Sequence, residues 1–441
     1  MARAYFGTDG IRGRVGESPM TAEFALRLAS AAARVLAPDG GSVVIGKDTR
    51  VSGYMLESAL EAGFVAAGMD VLLLGPLPTP GIAHLTKAHG ADLGVVISAS
   101  HNPFYDNGIK FFDGEGSKLP DAVEEQIEAC LDQPAITRDS SSLGQARRVD
   151  SAGEDYQRFC LSTVPDDLRL DHLKIVLDCS HGAGYKVAPR VMAALGAEII
   201  PIGCSPNGKN INDGCGTTSP EFLIVTVKAI GADLGIAFDG DGDRVLMVDR
   251  DGNLVDGDQL LYVLAAAGHA AGTLNGPVVG TSMTNLGLER ALAEIGIEFR
   301  RANVGDRYVL AMLNETGGRL GGETSGHLLC LDKTTTGDGL ISALQVLCVI
   351  VKTGKSLGEL TRGMPRFPQT LINVPTSEPV DVERSADMQA AIRDIENKLA
   401  DRGRVLVRAS GTEPVVRVMV EGEDETEVSN LAAELAERIG G

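Results

Sequence analysis

The sequence is poor in cysteine, in positive charge and in long apolar runs. Its 40 Lys and Arg residues are outnumbered by 60 Asp and Glu residues, which gives a formal net charge of −20 over 441 residues. Binding to nucleic acid or to an anionic membrane needs a broad basic surface, so this balance argues against both kinds of partner. An anionic substrate would therefore have to meet locally placed Arg and Lys side chains.

The seven cysteines are scattered and odd in number, and none forms a C-x-x-C pair. That usage suits a reducing cytosol. The most apolar run, 340–351, contains Ser342 and Gln345 and is too short for a membrane span. The amino terminus has no apolar core followed by a small-residue cleavage site. We therefore expect a cytoplasmic protein.

What the chain does have is regular alternation of strand and helix patterns, punctuated by glycine. With 441 residues, of which 44% are hydrophobic, the chain is long enough for about three or four domains, each with a buried core. The alternation predicts three related α/β domains with mixed, mostly buried sheets, and the last segment reads as a C-terminal α+β domain. We predict boundaries that give domains 1–165, 166–273, 274–366 and 367–441.

An internal repeat supports this division. The sequence GADLG occurs at 90–94 and again at 231–235, each time before an apolar strand and a polar loop. A weaker third copy begins near Gly318. The three copies predict three polar loops at matching strand ends, where α/β sheets carry their ligands.

The second of these loops, FDGDGDR at 238–244, is the most informative stretch of the chain. Asp239, Asp241 and Asp243 would repel one another without a positive charge among them, and carboxylate oxygens are the ligands that Mg²⁺ prefers. Arg244 would close the cluster. A calcium-binding EF-hand is excluded, because Arg244 and Arg250 occupy the places of its Gly and Glu. A purely polar turn remains an alternative.

Two other loops offer matching chemistry. Ser100 lies in SASHNP at 98–103, where the turn should leave its hydroxyl exposed as a candidate nucleophile. The tail contains RASGTEP at 408–414, with Arg417 beyond it, and its hydroxyls and arginines could hold a phosphate dianion. A metal, a nucleophile and an anion cradle together suggest phosphoryl transfer.

These motifs, with GTDGIRG at 7–13, DNGIK at 106–110 and GETSGH at 322–327, resemble the α-D-phosphohexomutase superfamily over essentially the whole chain. The segments PNGKNIN at 206–212 and DKTTTGDG at 332–339, and the Ser-Gly-Thr form of the tail loop, resemble the bacterial members that act on amino sugars. The resemblance implies four domains around a central cleft and interconversion of glucosamine 6-phosphate and glucosamine 1-phosphate for cell-wall precursor synthesis. It also implies a phosphoserine enzyme, a bisphosphorylated sugar intermediate, and a monomer or homodimer.

The resemblance further implies roles for individual residues. One Mg²⁺ would be held by phosphorylated Ser100 with Asp239, Asp241 and Asp243. The sugar and its non-reacting phosphate would be bound by Glu323, Ser325, Arg408, Ser410, Gly411, Thr412 and Arg417. Proton transfer and charge stabilisation would fall to Lys110, His327, Arg12, His101 and Arg244. Two alternatives stay open: a glucose or mannose phosphate mutase of the same superfamily, and a sugar-phosphate-binding protein without turnover.

Overall fold

The computed structural model of the chain describes residues 4–7, 9–376, 382, 384–409 and 415–440. It contains four sheets, each in its own stretch of sequence. The first unit comprises β1 (Ile11–Arg14), α1 (Ala22–Leu36), β2 (Gly41–Lys47), α2 (Ser52–Ala66), β3 (Met69–Pro76), α3 (Thr79–Ala88), β4 (Leu93–Ile97), β5 (Asp106–Asp113), α4 (Asp121–Cys130) and β6 (Ala146–Arg148).

The second unit follows α5 (Ala152–Ser162) and comprises β7 (Lys174–Asp178), α6 (Val187–Ala194), β8 (Glu198–Ile202), α7 (Glu221–Ile230), β9 (Leu234–Phe238), β10 (Val245–Asp249) and β11 (Leu254–Val255). The third comprises α8 (Gly257–Ala270), β12 (Val278–Thr281), α9 (Leu286–Glu294), β13 (Phe299–Ala302), α10 (Asp306–Thr316), β14 (Leu320–Gly322), β15 (Leu328–Cys330), α11 (Gly339–Thr353) and α12 (Leu357–Thr361). The fourth comprises β16 (Gln369–Pro375), α13 (Ala386–Leu399), β17 (Gly403–Ala409), β18 (Val415–Gly422) and α14 (Glu425–Gly440).

The first three sheets share one arrangement of four strands. Their orders contain β5-β4-β2-β3, β10-β9-β7-β8 and β15-β14-β12-β13. In each set the first strand named is antiparallel to its neighbour, and the other three strands are parallel to one another. The fourth sheet, β16-β18-β17, is antiparallel throughout. The predicted fold class of three related α/β units and a C-terminal α+β unit is confirmed. The predicted domain boundaries each fall between two sheets and stay predictions.

Local sequence explains where the elements begin. Thr21 caps α1 by accepting a hydrogen bond from the amide of Phe24 at 3.2 Å, and Phe24, Leu28 and Ala31 are buried along one face. Such a cap satisfies an amide that the helix itself leaves unpaired.

The apolar cores do not follow the same division as the four sheets. One continuous apolar core includes residues from the first three units, between Val44 and Met364, whereas the fourth unit has a separate core between Val374 and Ile439. Within the described residues, no helix combines the length and apolar character needed to cross a membrane. The first three units therefore pack as one body, to which the fourth is attached.

Candidate active site

Three polar loops meet at matching ends of the repeated sheets. They follow β4, β9 and β14 and are named here the serine loop (98–105), the aspartate loop (239–244) and the sugar loop (323–327). The hydroxyl of Ser100 donates a hydrogen bond to Oδ2 of Asp239 at 2.5 Å. The amide of Val245 donates to the carbonyl of Gly326 at 3.0 Å. The shared topology therefore brings loops that are far apart in sequence into one site.

The aspartate loop contains a carboxylate triad that can hold a metal ion. Asp239, Asp241 and Asp243 are all buried, and one oxygen from each lies within 4.8 Å of the others. Among the described residues, Oδ1 of Asp241 and Oδ1 of Asp243 have no hydrogen-bond partner. Gly242 has a φ of +75°, a left-handed conformation that lets the loop turn its carboxylates inward. Buried, unpartnered carboxylate oxygens are suitable ligands for a hard divalent cation.

The pKa of Asp239 shows how unfavourable the clustered negative charge is. Burial and the neighbouring carboxylates of Asp243 and Asp241 raise this pKa well above its usual range. Bringing a cation to the triad would relieve that repulsion and favour the ionised form.

Lys110 provides a buried positive charge beside the triad. Its Nζ lies 2.9 Å from carboxylate oxygens of Asp9 and Asp241 and 3.8 Å from Asp243, and its side chain is 3% exposed. Burial would lower the pKa of Lys110, but Asp241 and Asp9 outweigh it and raise the pKa. Lys110 is therefore charged at neutral pH.

Arg244 lies at the end of the same loop. Its backbone amide donates to Oδ1 of Asp239 at 3.2 Å, and its Nε lies 4.0 Å from Oδ1 of Asp243. Burial opposes its charge, but the three aspartates raise the pKa of Arg244.

Ser100 is buried, with 1% of its surface exposed, so the prediction of an exposed hydroxyl is wrong. The aspartate loop covers it, because the two loops meet face to face. Ser100 has a φ of 52°, which is uncommon for a residue with a Cβ. Conformations of this kind cost about 1–3 kcal/mol and persist where the surroundings enforce them.

Arg50 enforces that conformation, and its role was missed in the sequence. Its guanidinium is fully buried and donates to the carbonyls of Ser100 and Asn102 at 2.9 and 2.8 Å and to the Asp48 carboxylate at 2.7 Å. Asn212 Nδ2 also donates to the Ser100 carbonyl, at 2.9 Å. The signal was present in the sequence, since Asp48 and Arg50 directly follow the buried strand β2.

His327 and His101 have opposite electrostatic environments. His327 Nδ1 lies 3.6 Å from Asp243 and Nε2 lies 3.4 Å from Asp306. Burial alone would lower the pKa of His327, but those carboxylates raise it to about 9. Burial and the charge of Arg244 lower the pKa of His101 to about 4.

A chain of ion pairs crosses from the first unit to the third. Arg12 pairs with Asp9, and Lys118 bridges Asp9, at 2.5 Å, and Asp306. Burial would raise the pKa of Asp9, but the surrounding cations hold it well below its usual range. The sequence did not indicate Lys118 or Asp306, because these two residues pair with each other from different units.

The sugar loop presents the two residues predicted to contact the sugar. Glu323 is half-buried and accepts a hydrogen bond from the Gly305 amide at 3.0 Å, while Ser325 is exposed. Between them, Thr324 turns away, and its hydroxyl donates to Asp258 at 2.7 Å.

The predicted phosphate cradle is described only in part. Arg408 and Arg417 lie opposite each other on β17 and β18. Burial and the charge of Arg417 lower the pKa of Arg408. Within the described residues, no hydrogen bond or ion pair joins Arg408 to the serine, aspartate or sugar loop. Ser410, Gly411 and Thr412 lie outside the described residues.

Comparison with known proteins assigns the chain to a class. Four models of the phosphoglucomutase/phosphomannomutase family match consecutive segments: α/β/α domain I at 3–136, domain II at 154–252, domain III at 256–367 and the C-terminal domain at 371–438. The chain belongs to this family. A family protein from Burkholderia thailandensis has the same fold, with a TM-score of 0.81 and 26% identity over 98% of this chain and 96% of that one.

Relatives with higher identity carry a more specific name. Phosphoglucosamine mutase from Aeromonas hydrophila is 56% identical over 440 residues, covering 100% of this chain and 99% of the relative. Phosphoglucosamine mutase from Ralstonia nicotianae is 58% identical over 443 residues, covering 99% of each. The superfamily resemblance seen in the motifs is thereby confirmed.

Proposed function

We propose that the chain is an isomerase that interconverts glucosamine 6-phosphate and glucosamine 1-phosphate, supplying an amino-sugar precursor for the bacterial cell wall. The observation that carries the proposal is the contact between Ser100 and the carboxylate triad, in a chain similar over its full length to phosphoglucosamine mutases. A serine hydroxyl held beside a cation site suits phosphoryl transfer, which depends on positioning and charge neutralisation.

In the proposed reaction, the free hydroxyl of the sugar monophosphate accepts the phosphoryl group of phosphorylated Ser100. The P–O bond to the serine oxygen breaks as the P–O bond to the sugar oxygen forms, and the proton lost by the sugar hydroxyl passes to the serine oxygen. The bisphosphorylated sugar then turns end for end. Ser100 takes the phosphoryl group from the other position, which regenerates the phosphoserine and releases the isomeric monophosphate. Arg50 and Asn212 hold the Ser100 carbonyl throughout, so the serine oxygen stays in place.

The triad fits Mg²⁺, which would supply charge neutralisation at the phosphoryl group when bound. Asp239, Asp241 and Asp243 would hold it, consistent with the unpartnered buried oxygens of the last two. Lys110 lies against the same carboxylates and places a fixed positive charge beside the reacting group.

The other predicted residues surround this centre. His327, Arg12, His101 and Arg244 provide positive charge and proton-carrying groups around the reacting hydroxyl. Glu323 and Ser325 bind the sugar hydroxyls from the sugar loop.

The fourth unit completes the proposed site. Arg408 and Arg417, with Ser410, Gly411 and Thr412, bind the phosphate that does not react. Movement of this unit about the segment near Pro368 would close the central cleft and exclude water from the phosphoserine. A cytoplasmic location and a monomeric or homodimeric state stay predictions.

Turnover of three sugar phosphates tests the proposal. Mutase activity would be measured with Mg²⁺ on glucosamine 6-phosphate, glucose 1-phosphate and mannose 1-phosphate, with Ser100→Ala as the control. We expect strong preference for the amino sugar and loss of turnover in the variant. Faster turnover of the plain hexoses would point to another mutase of the family, binding without turnover would indicate a sugar-phosphate-binding protein, and activity that survives without Ser100 would refute the mechanism.

The metal proposal has its own test. Removing divalent cations with EDTA should abolish turnover, and Mg²⁺ should restore it. In Asp241→Asn, calorimetry should detect weaker Mg²⁺ binding than in the parent protein. Unchanged Mg²⁺ affinity in this variant would contradict the assignment of the triad as the metal site.

A further inference from the structure

Asp258, in the first turn of α8, lies outside the predicted site but contacts two segments that matter to it. The side chain is fully buried, and a single oxygen, Oδ2, accepts a hydrogen bond from the Thr324 hydroxyl at 2.7 Å and another from the Asn285 amide at 2.9 Å. Its Oδ1 has no hydrogen-bond partner among the described residues. One carboxylate oxygen therefore joins the sugar loop to the start of α9.

On the sugar side, the loop is held against the beginning of α8 by backbone as well as side chain. The Gly257 amide donates to the Thr324 carbonyl at 3.0 Å, next to the bond from the Thr324 hydroxyl to Asp258. Gly257 has no space for a Cβ, which would overlap the Glu323 carbonyl. The position of Thr324, and with it that of Glu323 and Ser325 on either side, therefore depends on α8.

On the other side, Asn285 binds the segment that leads into the fourth unit. Its side-chain Nδ2 donates to the Phe367 carbonyl at 3.0 Å, and its Oδ1 accepts from the Phe367 amide at 3.0 Å. Phe367 lies immediately before Pro368 and β16. Asn285 therefore binds the joint between the third and fourth units through its side chain, and it binds Asp258 through its backbone amide.

The fourth unit meets the third at the same place. The buried Glu421 on β18 accepts from the Leu286 amide at 2.9 Å, and from Arg404 Nε at 2.5 Å. Arg404 in turn donates to the carbonyls of Ser282 and Thr284, both at 2.7 Å. A cavity of about 340 Å³ is lined by Thr324 of the sugar loop, by Phe367 of the joint, and by Asp258 and Asn285. Hydrogen bonds of Asp258 and Asn285 connect the two segments.

We propose that Asp258 is a positioning residue that couples the sugar loop to the joint of the fourth unit, through Thr324 on one side and through Asn285 and Phe367 on the other. A shift of either hydrogen-bond donor moves the oxygen that the other donor needs. Seating of the sugar at Glu323 and Ser325 and seating of the fourth unit on the phosphate then change each other's free energy by the same amount, because linked equilibria are reciprocal. The effect on binding of the sugar and the phosphate rests on the proposed function. The coupling between the sugar loop and the joint is a property of the protein without ligand.

Hydrogen exchange of the ligand-free protein tests the coupling. Thr324→Val removes the hydroxyl at nearly constant volume from a half-buried position, so the variant should fold. We expect faster exchange in peptides covering 323–327 and also in those covering 366–369, by up to about tenfold, as for loss of one buried hydrogen bond. Thr324→Ser keeps the hydroxyl and should retain the parental exchange at the joint.

Two further variants separate coupling from a local effect. Thr353→Val removes an exposed hydroxyl that donates to the Val349 carbonyl on α11, and it should leave both segments unchanged. Glu421→Gln weakens the bond to Arg404 and should speed exchange in the sugar loop, because coupling is reciprocal. Unchanged exchange at 366–369 in Thr324→Val, or at 323–327 in Glu421→Gln, would overturn the proposal. Failure of all sugar phosphates to turn over would overturn the proposed function alone.

Discussion

Replacing Lys110 with methionine is expected to destabilise the protein far more than replacing Lys87, although the two lysines lie at the same distance from a carboxylate. Lys110 Nζ is 2.9 Å from Asp241, and the two side chains are 3% and 1% exposed. Lys87 Nζ is 2.9 Å from Glu115, with side chains 57% and 76% exposed. Because the distance is matched, a difference between the variants measures the combined effect of burial and of the second carboxylate, Asp9, that lies beside Lys110.

The magnitudes follow from what each substitution leaves behind. Lys110→Met leaves the buried carboxylate of Asp241 and the half-buried carboxylate of Asp9 without their common cation, and breaking a buried pair costs about 3–5 kcal/mol. An exposed pair contributes about 0–1 kcal/mol. At about 2.1 cal/mol/K per residue, a body of about 360 residues shifts by roughly 1.3 °C per kcal/mol, so the first thermal transition should fall by about 5 °C for Lys110→Met. For Lys87→Met, the same conversion gives a fall of less than about 1.5 °C.

Scanning calorimetry in EDTA and in Mg²⁺ is the assay. Mg²⁺ brings positive charge to the same aspartates, so it should raise the transition of Lys110→Met by more than that of the parent protein. Equal transitions for the two lysine variants in EDTA would refute the argument that burial makes the Lys110 charge structurally necessary. Mg²⁺ that stabilises the parent and Lys110→Met equally would show that lysine and metal do not act on the same carboxylates.

Two other predictions concern the pH dependence of stability and the packing of the loops. Burial and the Asp256 carboxylate raise the pKa of Asp258 to about 7. The folded protein therefore holds a proton on Asp258 that the unfolded chain releases above about pH 4. The stability that this bound proton gives the folded state should fade as the pH rises through 7. Asp258→Asn should flatten that decline in urea midpoints measured from pH 4.5 to 8, and an unaltered slope would contradict the assignment. Gly240→Ala would place a Cβ 2.5 Å from the Ser100 carbonyl and should lower kcat about 100-fold by displacing the aspartate loop. Gly153→Ala, whose Cβ meets its nearest neighbour at 3.9 Å, should leave kcat unchanged, and a parental kcat in Gly240→Ala would count against the close contact between the serine and aspartate loops.

Much of the fold could be predicted from the sequence because its signals are local. The repeated GADLG segments and the glycines that end helices mark equivalent strands, and the structure places those strands at equivalent positions in three sheets. Asp239, Asp241 and Asp243 were recognisable because one short loop contains all three. Their capacity to hold a metal depends mainly on the spacing of neighbouring residues, which the sequence displays directly.

Contacts between units could not be predicted in the same way. Ser100 was expected to be exposed, but Asp239 from the second unit covers it. Lys118 looks like an ordinary surface lysine until Asp306 from the third unit is placed beside it. Asp258 reads as a residue of a helix start, and only the packed structure brings it to Thr324.

By itself, the sequence determined the class of fold, the repeated architecture, the family and the residue types at the site. Each of these depends on periodicity and on short motifs, which are properties of neighbouring residues. The tertiary structure decided which oxygens remain without partners, which charges share a buried environment, and which loops hold Ser100 in a left-handed conformation. These features depend on burial and on distances between residues far apart in the chain, because the strength of a charge or hydrogen bond depends on what surrounds it.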